Sequence, residues 1–576
     1  MSSIAENNPT DNLSGDVAQQ QQNNGGQSAF GASTLIVDAE KAQPHQLVYK
    51  GTVPKTIYGA IIDNPTTRAG CDVLLAAKIQ ALNQALQDIG MGRYQWFLFI
   101  ITSVGWFLDS LWLASFTVIN PAASNEAQFF FSGDKSSYLS ISLFVGLTLG
   151  AATWPWMSDT LGRKWIFTST VVLMGMGGLV GAGMPSFTGL CVIGSVIGLA
   201  VAGNQLVVAP YLLEFVPTSH QFLLCLQGVF WGLGQLVASA VGWAFIAEYT
   251  CGTGPDEVST AQAMGHSKQV STHSGGGSGS SSCHYVSNKG WRYVWWTFGC
   301  ITLFLYLCRF TFPLCETPKH LLARRRDAEA VQIIKDVATY NKRQTWLTER
   351  DFARIDSTID SRAITPRTSN RISTLLLPLG PAGFAVLGFL WAIAGLTFTL
   401  HNTYLNNYLE LYGVSSITPT TVATDYLFSR YLYVAICAIP GPLVATVLIE
   451  TQLLGRKRTG AIVAVLTGLS MLLATLARSR DTLLAFECVL SFLEYAGLAI
   501  MTTYTVEAFP TFIRGSGLGV MGCAWGLFGL IGHIVTAFAG NAVAGGGPVW
   551  FCGAIWIVMA GAWLVLPLET RGVAAA

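Results

Sequence analysis

Apolar segments long enough to cross a membrane recur along most of the chain, separated by shorter polar stretches. A helix of about 20 apolar residues spans the roughly 30 Å hydrocarbon layer of a bilayer. Segments of this kind lie near residues 96–119, 138–157, 165–185, 188–210, 222–246, 292–313, 383–405, 426–449, 459–477, 482–504, 516–539 and 547–567. The pattern therefore predicts an all-α membrane protein with twelve transmembrane helices, which we number as spans one to twelve in chain order.

The region before the first span has a different pattern. Residues 1–70 are rich in Asn, Gln, Ser and Gly, which is typical of a disordered tail. An amphipathic helix is predicted next, because apolar residues recur at steps of three and four at Leu75, Ile79, Leu82, Leu86 and Ile89. We expect this helix to lie on the membrane surface or against the helical bundle.

The distribution of Lys and Arg predicts the orientation. Residues 314–378 carry twelve of them, whereas the loop between spans five and six has only Lys268 and Lys289. Basic residues accumulate on the cytoplasmic side of membrane proteins, and an even number of spans places both chain ends on one side. We therefore predict a multi-pass protein, in the plasma membrane, with both termini in the cytoplasm.

Charge is scarce in the whole chain, which is 51% hydrophobic and 11% charged with a net charge of +1. Soluble domains carry about 25% charged residues, so this composition excludes an ordinary soluble enzyme. The absence of a basic excess excludes a nucleic-acid-binding protein. Because the sequence contains no nucleotide-binding loop and no metal-ligand cluster, we expect no enzymatic activity, cofactor or metal.

An internal repeat divides the chain into two halves. Gly162, Arg163 and Lys164 map onto Gly455, Arg456 and Lys457 at an offset of 293 residues, and the same offset carries Glu214 onto Glu507. Two six-span halves of this kind are typical of transporters whose site lies at the midplane between the halves. The predicted regions are a cytoplasmic tail 1–95, an N-terminal half 96–313 with an extracellular Gly/Ser-rich loop 251–290, a basic cytoplasmic linker 314–382, a C-terminal half 383–567 and a tail 568–576.

The repeated motifs also predict a gate. Short basic loops at helix ends pair with neighbouring carboxylates and interact with the dipoles of the helices that end there. We interpret these residues as a cytoplasmic gate rather than as solute contacts: Asp159, Gly162, Arg163, Lys164, Glu214, Gly455, Arg456, Lys457, Glu507 and Arg514.

Several motifs together resemble the major facilitator superfamily over residues 90–572. The stretches that carry the resemblance are Gly92-Arg-Tyr-Gln-Trp96, Gly105-Trp-Phe-Leu-Asp109, Leu213-Glu-Phe-Val-Pro217, Gly290-Trp-Arg292, Glu316-Thr-Pro-Lys319, Ile439-Pro-Gly441 and Tyr504-Thr-Val-Glu-Ala-Phe-Pro510. They are similar to a sugar-porter-like group that includes nicotinate transporters and synaptic-vesicle glycoproteins, especially its fungal members. The resemblance implies the major facilitator fold, and a cavity lined by spans one, four, seven and ten. The paired glutamines of sugar porters are absent from span seven, so a hexose substrate is not implied.

Three carboxylates in predicted spans are candidates for proton coupling. Asp109 lies about 13 residues into span one, Glu494 reaches a similar depth in span ten, and Glu487 is one heptad earlier on the same face. Ionisable side chains inside a membrane are costly and indicate function, and burial favours the neutral form of a carboxyl group. The alternative is a carboxyl group that hydrogen-bonds to a neighbouring span, and span four offers Asp109 no Arg partner.

Other polar residues in the spans are candidates for solute contact. They are Asn204, Gln205, Gln227, Gln235, Asn402, Tyr404, Asn406 and Arg430. For the amides, hydrogen bonds between helices are an equally good interpretation. For Arg430, the alternative is that its long side chain reaches the outer interface near Asp425. Cys251 and Cys283 bracket the loop between spans five and six, where a disulfide and two free thiols are both open.

The sequence thus predicts a secondary active transporter of a small polar organic solute, either an organic acid or a sugar-like molecule, coupled to protons by symport. Its expected partners are the solute, protons and the lipid bilayer, and we expect a monomer. The alternatives are proton-antiport efflux of a metabolite or xenobiotic and a non-transporting sensor of the same fold.

Overall fold

The computed structural model describes residues 73–128, 136–249, 288–360, 375–376, 378–411, 421–477, 479–511, 513–539 and 547–570. The predicted disordered tail lies outside this part of the chain. So do the Gly/Ser-rich loop and the two cysteines that bracket it, Cys251 and Cys283.

Twelve helices in the described residues are long and apolar enough to cross a membrane, which confirms the predicted fold class. In the first half these are Arg93–Gln128, Ser136–Leu161, Arg163–Ala182, Phe187–Leu213, Gly228–Tyr249 (preceded by the short helix Leu223–Leu226) and Gly290–Cys308. In the second half they are Gly380–Leu411, Thr421–Ala438 with Pro440–Glu450, Gly455–Ala474, Arg480–Ala508, Arg514–Ala539 and Gly547–Val565. Span eight consists of two helices because Pro440 lacks the N–H that would continue the first.

The two halves meet along two pairs of spans. Span two packs against span eleven, and span five packs against span eight. Small residues allow these contacts, since Gly526 lies against Thr148 and Gly228 lies against Pro442. Helices in lipid associate by close packing rather than by the hydrophobic effect, so these glycines set how closely the halves approach.

Spans two and four approach each other closely inside the first half. A Cβ atom on Gly198 would clash with the backbone carbonyl oxygen of Leu143, and one on Gly146 would clash with that of Ser195. The obstacle is backbone in both cases, so a side chain could fit only if the helices moved apart.

Gly198→Ala is therefore expected to destabilise the protein by about 1–3 kcal/mol through overpacking. Gly388→Ala is the matched control, because a Cβ atom at Gly388 meets nothing within 4 Å and Ala favours a helix over Gly. Thermal unfolding of the detergent-purified proteins measures both. Equal melting temperatures for the two variants would contradict the packing described here.

Four short helices form a small cluster, here called the clasp, at one end of the bundle, which we call the linker end. They are the helix Val73–Ile89 and the linker helices Pro318–Ala323, Asp327–Tyr340 and Glu349–Asp360. The amphipathic pattern before span one falls on the helix Val73–Ile89, whose apolar face is buried in a separate core with linker residues such as Ile334 and Phe352. The linker covers this face, because the linker helices are themselves amphipathic and bury their apolar faces against it.

Polar contacts hold the clasp together and join it to span one. Lys78 Nζ lies 2.5 Å from an oxygen of Asp327 and 2.7 Å from one of Asp356. Burial alone would lower the pKa of Lys78, but the hydrogen bonds and charges of these two carboxylates raise it above its usual value. The Asn341 side chain accepts a hydrogen bond from the Tyr94 backbone at 2.9 Å, at the start of span one.

Lys78→Ala is expected to loosen the N-terminal helix, because hydrogen bonds to charged groups contribute roughly 1.5–3 kcal/mol each. Limited proteolysis should then cut between residues 73 and 93 faster than in the unchanged protein. Lys335→Ala removes an exposed lysine of the same clasp and should leave the cutting rate unchanged. Equal rates for all three proteins would show that the ion pairs do not hold the helix.

Candidate functional site: a cavity between the halves and a latch at the linker end

A cavity of about 390 Å³ lies between the two halves. Residues of spans one, two, five and seven to twelve line it, from Gly460 and Trp563 to Asn120 and Pro121 near the far end of span one. Ligand cavities of 300–1,000 Å³ accommodate small organic molecules. The cavity lies between the two repeated halves, and span four, which the resemblance placed on its wall, contributes no residue to the described lining.

Four of the predicted residues line this cavity. They are Gln235, Arg430, Glu487 and Glu494. The cavity walls do not include Asp109, Asn204, Gln205 or Gln227. The side chains of Asn402, Tyr404 and Asn406 lie outside the described part of the structure, so their predicted solute contacts remain predictions.

Arg430 and Glu487 form a buried ion pair between spans eight and ten. Arg430 donates through Nε and Nη2 to the two carboxylate oxygens of Glu487, at 2.5 and 2.6 Å. Both residues are less than a tenth exposed. Because such a bidentate pair neutralises itself, it adds no net charge to the cavity.

Glu494 lies two helical turns further along span ten, about 10 Å along the helix axis from Glu487. Its Oε1 atom is buried and has no hydrogen-bond partner among the described residues. Buried charges are normally paired, so this carboxyl group is an ionisable side chain of the cavity wall with an oxygen that its own surroundings leave unsatisfied.

Asp109 is fully buried but lies behind the cavity wall. Its carboxylate accepts a hydrogen bond at 2.7 Å from Nδ2 of Asn204, which also donates to the Gly105 carbonyl at 3.0 Å. The second oxygen of Asp109 has no hydrogen-bond partner within the described chain. The structure therefore brings together Asp109 and Asn204, two of the predicted site residues. They meet between spans one and four, not beside Glu494.

The predicted amides of span five act as links between helices. Gln227 donates to Thr102 of span one at 2.8 Å, and Gln235 accepts a hydrogen bond at 2.5 Å from the Tyr495 hydroxyl of span ten. The second contact joins the two halves at the cavity. Both amides therefore form hydrogen bonds between helices, which was the alternative to solute contact.

Sequence reasoning missed the aromatic part of the cavity wall. Besides Tyr495, the wall includes Trp231, Trp525, Trp556, Tyr431 and His401. With 17 Trp and 18 Tyr in the chain, residue type alone could not select them. His533 also lies on the wall and packs against Phe144 with ring centroids 4.8 Å apart.

At the linker end, the two copies of the repeat form equivalent buried ion pairs. Arg163 pairs with Glu214, and Arg456 lies 3.1 Å from Glu507. The backbone N–H of each arginine also donates to a further carboxylate, Glu316 or Glu569, at 2.9 Å. The geometry therefore gives the sequence repeat a structural meaning.

The glycine that opens each repeated motif is required by this arrangement. Gly162 and Gly455 have φ values of 101° and 62°, which favour glycine over other residues. A Cβ atom on Gly162 would meet Glu316, and one on Gly455 would meet Glu569. The following lysines, Lys164 and Lys457, donate their backbone N–H groups to the same two carboxylates.

Contacts between the halves, here called the latch, close the linker end. The Asp159 carboxylate accepts hydrogen bonds from the Ser516 backbone N–H at 3.2 Å and hydroxyl at 3.0 Å. Arg163 donates to the Thr511 carbonyl at 3.3 Å, and Arg514 Nη1 lies 3.6 Å from Glu214. All of these contacts cross from the first half to the second, which is the arrangement that a gate requires.

One linker residue lies beside the latch. Burial and the neighbouring positive charge of Arg514 lower the pKa of Lys319 to about 7, while Glu214 acts in the opposite direction. The positive charge of this lysine is therefore weakly held near neutral pH.

The fold and sequence can be compared with known proteins. The sequence model of the family described as "Sugar (and other) transporter" matches residues 100–575. A siderochrome iron transporter of Ceriporiopsis subvermispora is 33% identical over 94% of this chain and 98% of its own. A niacin transporter of Acinetobacter baylyi is 22% identical over 78% of this chain and 88% of its own.

Among solved structures, the proton:xylose symporter XylE has a TM-score of 0.62 at 17% identity. The match covers 84% of this chain and 98% of that chain, and at this identity it confirms the fold alone. The family match, the fungal relative and the twelve-helix fold confirm the resemblance drawn from the motifs. The chain belongs to the sugar (and other) transporter family, within the major facilitator superfamily.

Proposed function

We propose that this membrane solute transporter is a proton symporter of a small polar organic solute that works by alternating access. The observation that carries the proposal is a solute-sized cavity between two pseudo-symmetric halves, which polar contacts join at the linker end in the described part of the chain. Such halves rock against each other around a fixed central site.

The latch and the cavity define the first step of this cycle. The cavity extends to Asn120 and Pro121 at the end of span one that is remote from the linker. If the basic linker is cytoplasmic, as its twelve Lys and Arg predict, the cavity faces the outside. Release of solute to the cytoplasm then requires the Asp159–Ser516 and Arg163–Thr511 contacts to break.

Asp109 is the proposed proton carrier. Symport requires the solute and the proton to be bound at the same time, so their sites must not compete. Asp109 meets this requirement because it lies behind the cavity wall, bonded only on one oxygen to Asn204 in the described structure. Binding of a proton there changes the charge between spans one and four without occupying the cavity.

Proton-antiport efflux remains the second candidate, and one observation favours it. Glu494 lies on the cavity wall with an unsatisfied carboxylate oxygen in the described structure. A proton and a solute that compete for this carboxyl group would exchange rather than move together. None of the relatives described above supports a non-transporting sensor.

Uptake into proteoliposomes under an imposed pH gradient separates the candidates. Radiolabelled nicotinate, carnitine and xylose serve as probes, with protein-free liposomes as the control. Symport predicts accumulation driven by an acidic exterior, whereas antiport predicts accumulation driven by an acidic interior. Uptake that ignores the gradient for every transported probe would overturn proton coupling.

A further inference from the structure

We propose that the solute is a small organic monocation that also carries a hydrogen-bond acceptor, and that Glu494 binds its positive charge. This inference rests on the proposed transport function and narrows the solute class. The organic acid and sugar-like solutes expected from the sequence are the competing classes.

The first argument is the charge of the cavity. The charged side chains among its described lining residues are Arg430, Glu487 and Glu494. Arg430 and Glu487 neutralise each other in their bidentate pair. One carboxyl group, that of Glu494, is left over. In its ionised form this group repels an anionic solute and attracts a cationic one, and the guanidinium of Arg430 is already bound to Glu487.

The second argument is the set of unsatisfied donors around the same cavity. Trp231 and Trp556 are only 6% and 7% exposed. Their indole nitrogens are buried and lack a hydrogen-bond partner in the described chain. An indole N–H can only donate, and buried Trp usually finds an acceptor. Because both residues line the cavity, from different halves, a bound solute with an acceptor group would satisfy them.

The third argument is the aromatic surface next to the carboxyl group. Tyr495 follows Glu494 in span ten and packs edge-on against Trp231, with ring centroids 5.9 Å apart. Trp556 of span twelve lines the same cavity as Glu494. Aromatic faces attract cations by about 0.5–2 kcal/mol. A carboxylate among aromatic rings is the arrangement that selects a cation with an apolar body.

Glu494 and Asp109 then have different roles. Glu494 lies on the cavity wall and binds the solute, whereas Asp109 lies behind the wall and carries the proton. The two carboxyl groups belong to opposite halves, in spans ten and one. This separation keeps a cationic solute compatible with symport.

Thermal stabilisation of the purified full-length protein tests the charge preference with probe pairs of the same shape. Choline is compared with 3,3-dimethyl-1-butanol, which replaces the quaternary nitrogen by carbon, and acetylcholine with 3,3-dimethylbutyl acetate, which makes the same replacement. At least one cation of the pairs should bind at least tenfold more tightly than its neutral partner. Failure of both cations to bind more tightly than their neutral partners would overturn the inference.

Three variants locate the preference. Glu494→Gln should reduce the cation preference to less than twofold, while Asp481→Asn, which changes an exposed carboxylate at the start of the same span, should retain it. Trp556→Phe keeps an aromatic ring but loses the N–H donor. It should therefore weaken the binding of choline but not that of tetramethylammonium, which has no hydrogen-bond acceptor. A cation preference that persists in Glu494→Gln would contradict the assignment of this residue. Should Glu494→Gln not fold, the probe pairs on the unchanged protein still decide.

Binding and transport fail separately in this design. Cation-selective binding without uptake in the proteoliposomes would leave the site assignment standing and overturn the proposed function. Proton-driven uptake of nicotinate or xylose without any cation binding would support the proposed function and overturn the assignment of a cation site.

Discussion

Asp109→Asn is expected to abolish proton-driven accumulation of solute while binding and exchange persist. Asparagine keeps the shape of the side chain and can still bond to Asn204, but it cannot take up a proton. We expect accumulation under an acid-outside gradient to fall at least tenfold. Counterflow, in which labelled solute exchanges for unlabelled solute without a gradient, should change by less than about twofold because the cavity wall is unaltered.

The control for this variant is an exposed carboxylate in another span. Asp481→Asn changes an exposed residue at the start of span ten and should leave both assays unchanged. Retained accumulation in Asp109→Asn would show that another group carries the proton. Glu494 would then be the next candidate, and the transport mode would shift towards antiport.

Arg163→Gln is expected to open the linker end. The substitution breaks the buried pair with Glu214 and the contact with the Thr511 carbonyl of the other half. Removal of one partner from a buried ion pair costs roughly 3–5 kcal/mol, because the other charge stays buried. Part of this loss is specific to the closed state, so the equilibrium should move towards a state that is open at the linker end.

The repeat supplies a matched control for this prediction. Arg456→Gln breaks the equivalent pair with Glu507, but the other contacts of Arg456, to Glu450 and the Ile449 carbonyl, lie within the second half. Both variants should lose stability. Only Arg163→Gln should lengthen the distance between spin labels at the exposed positions Trp165 and Leu453, one in each half. An equal change in both variants would contradict the latch.

The fold could be predicted almost completely from the sequence, because a membrane span has a length and a composition that few other structures share. The two ion pairs at the linker end were also predictable from the sequence. The same offset of 293 residues carries Arg163 onto Arg456 and Glu214 onto Glu507. Opposite charges that repeat together at helix ends indicate an ion pair in each half.

The cavity was less predictable because helix spacing does not tell which face of a span meets the cavity. Asp109 and Glu494 have similar depth and chemistry in the sequence, yet one lies behind the wall and the other on it. Arg430 and Glu487 are 57 residues apart, and no local pattern joins them. Trp231 and Trp556 could be recognised as candidate solute contacts only from the structure, which places their unsatisfied indole nitrogens beside a cavity.

The central claim is that solute and proton cross the membrane in the same direction. Proteoliposomes that contain a pH-sensitive dye test it directly, when a transported solute such as choline or carnitine is added outside with no initial pH gradient. Symport predicts that the interior becomes more acidic as solute enters, and that Asp109→Asn abolishes this signal without abolishing entry. An interior that becomes more alkaline, or that keeps its pH while solute enters, would contradict the account.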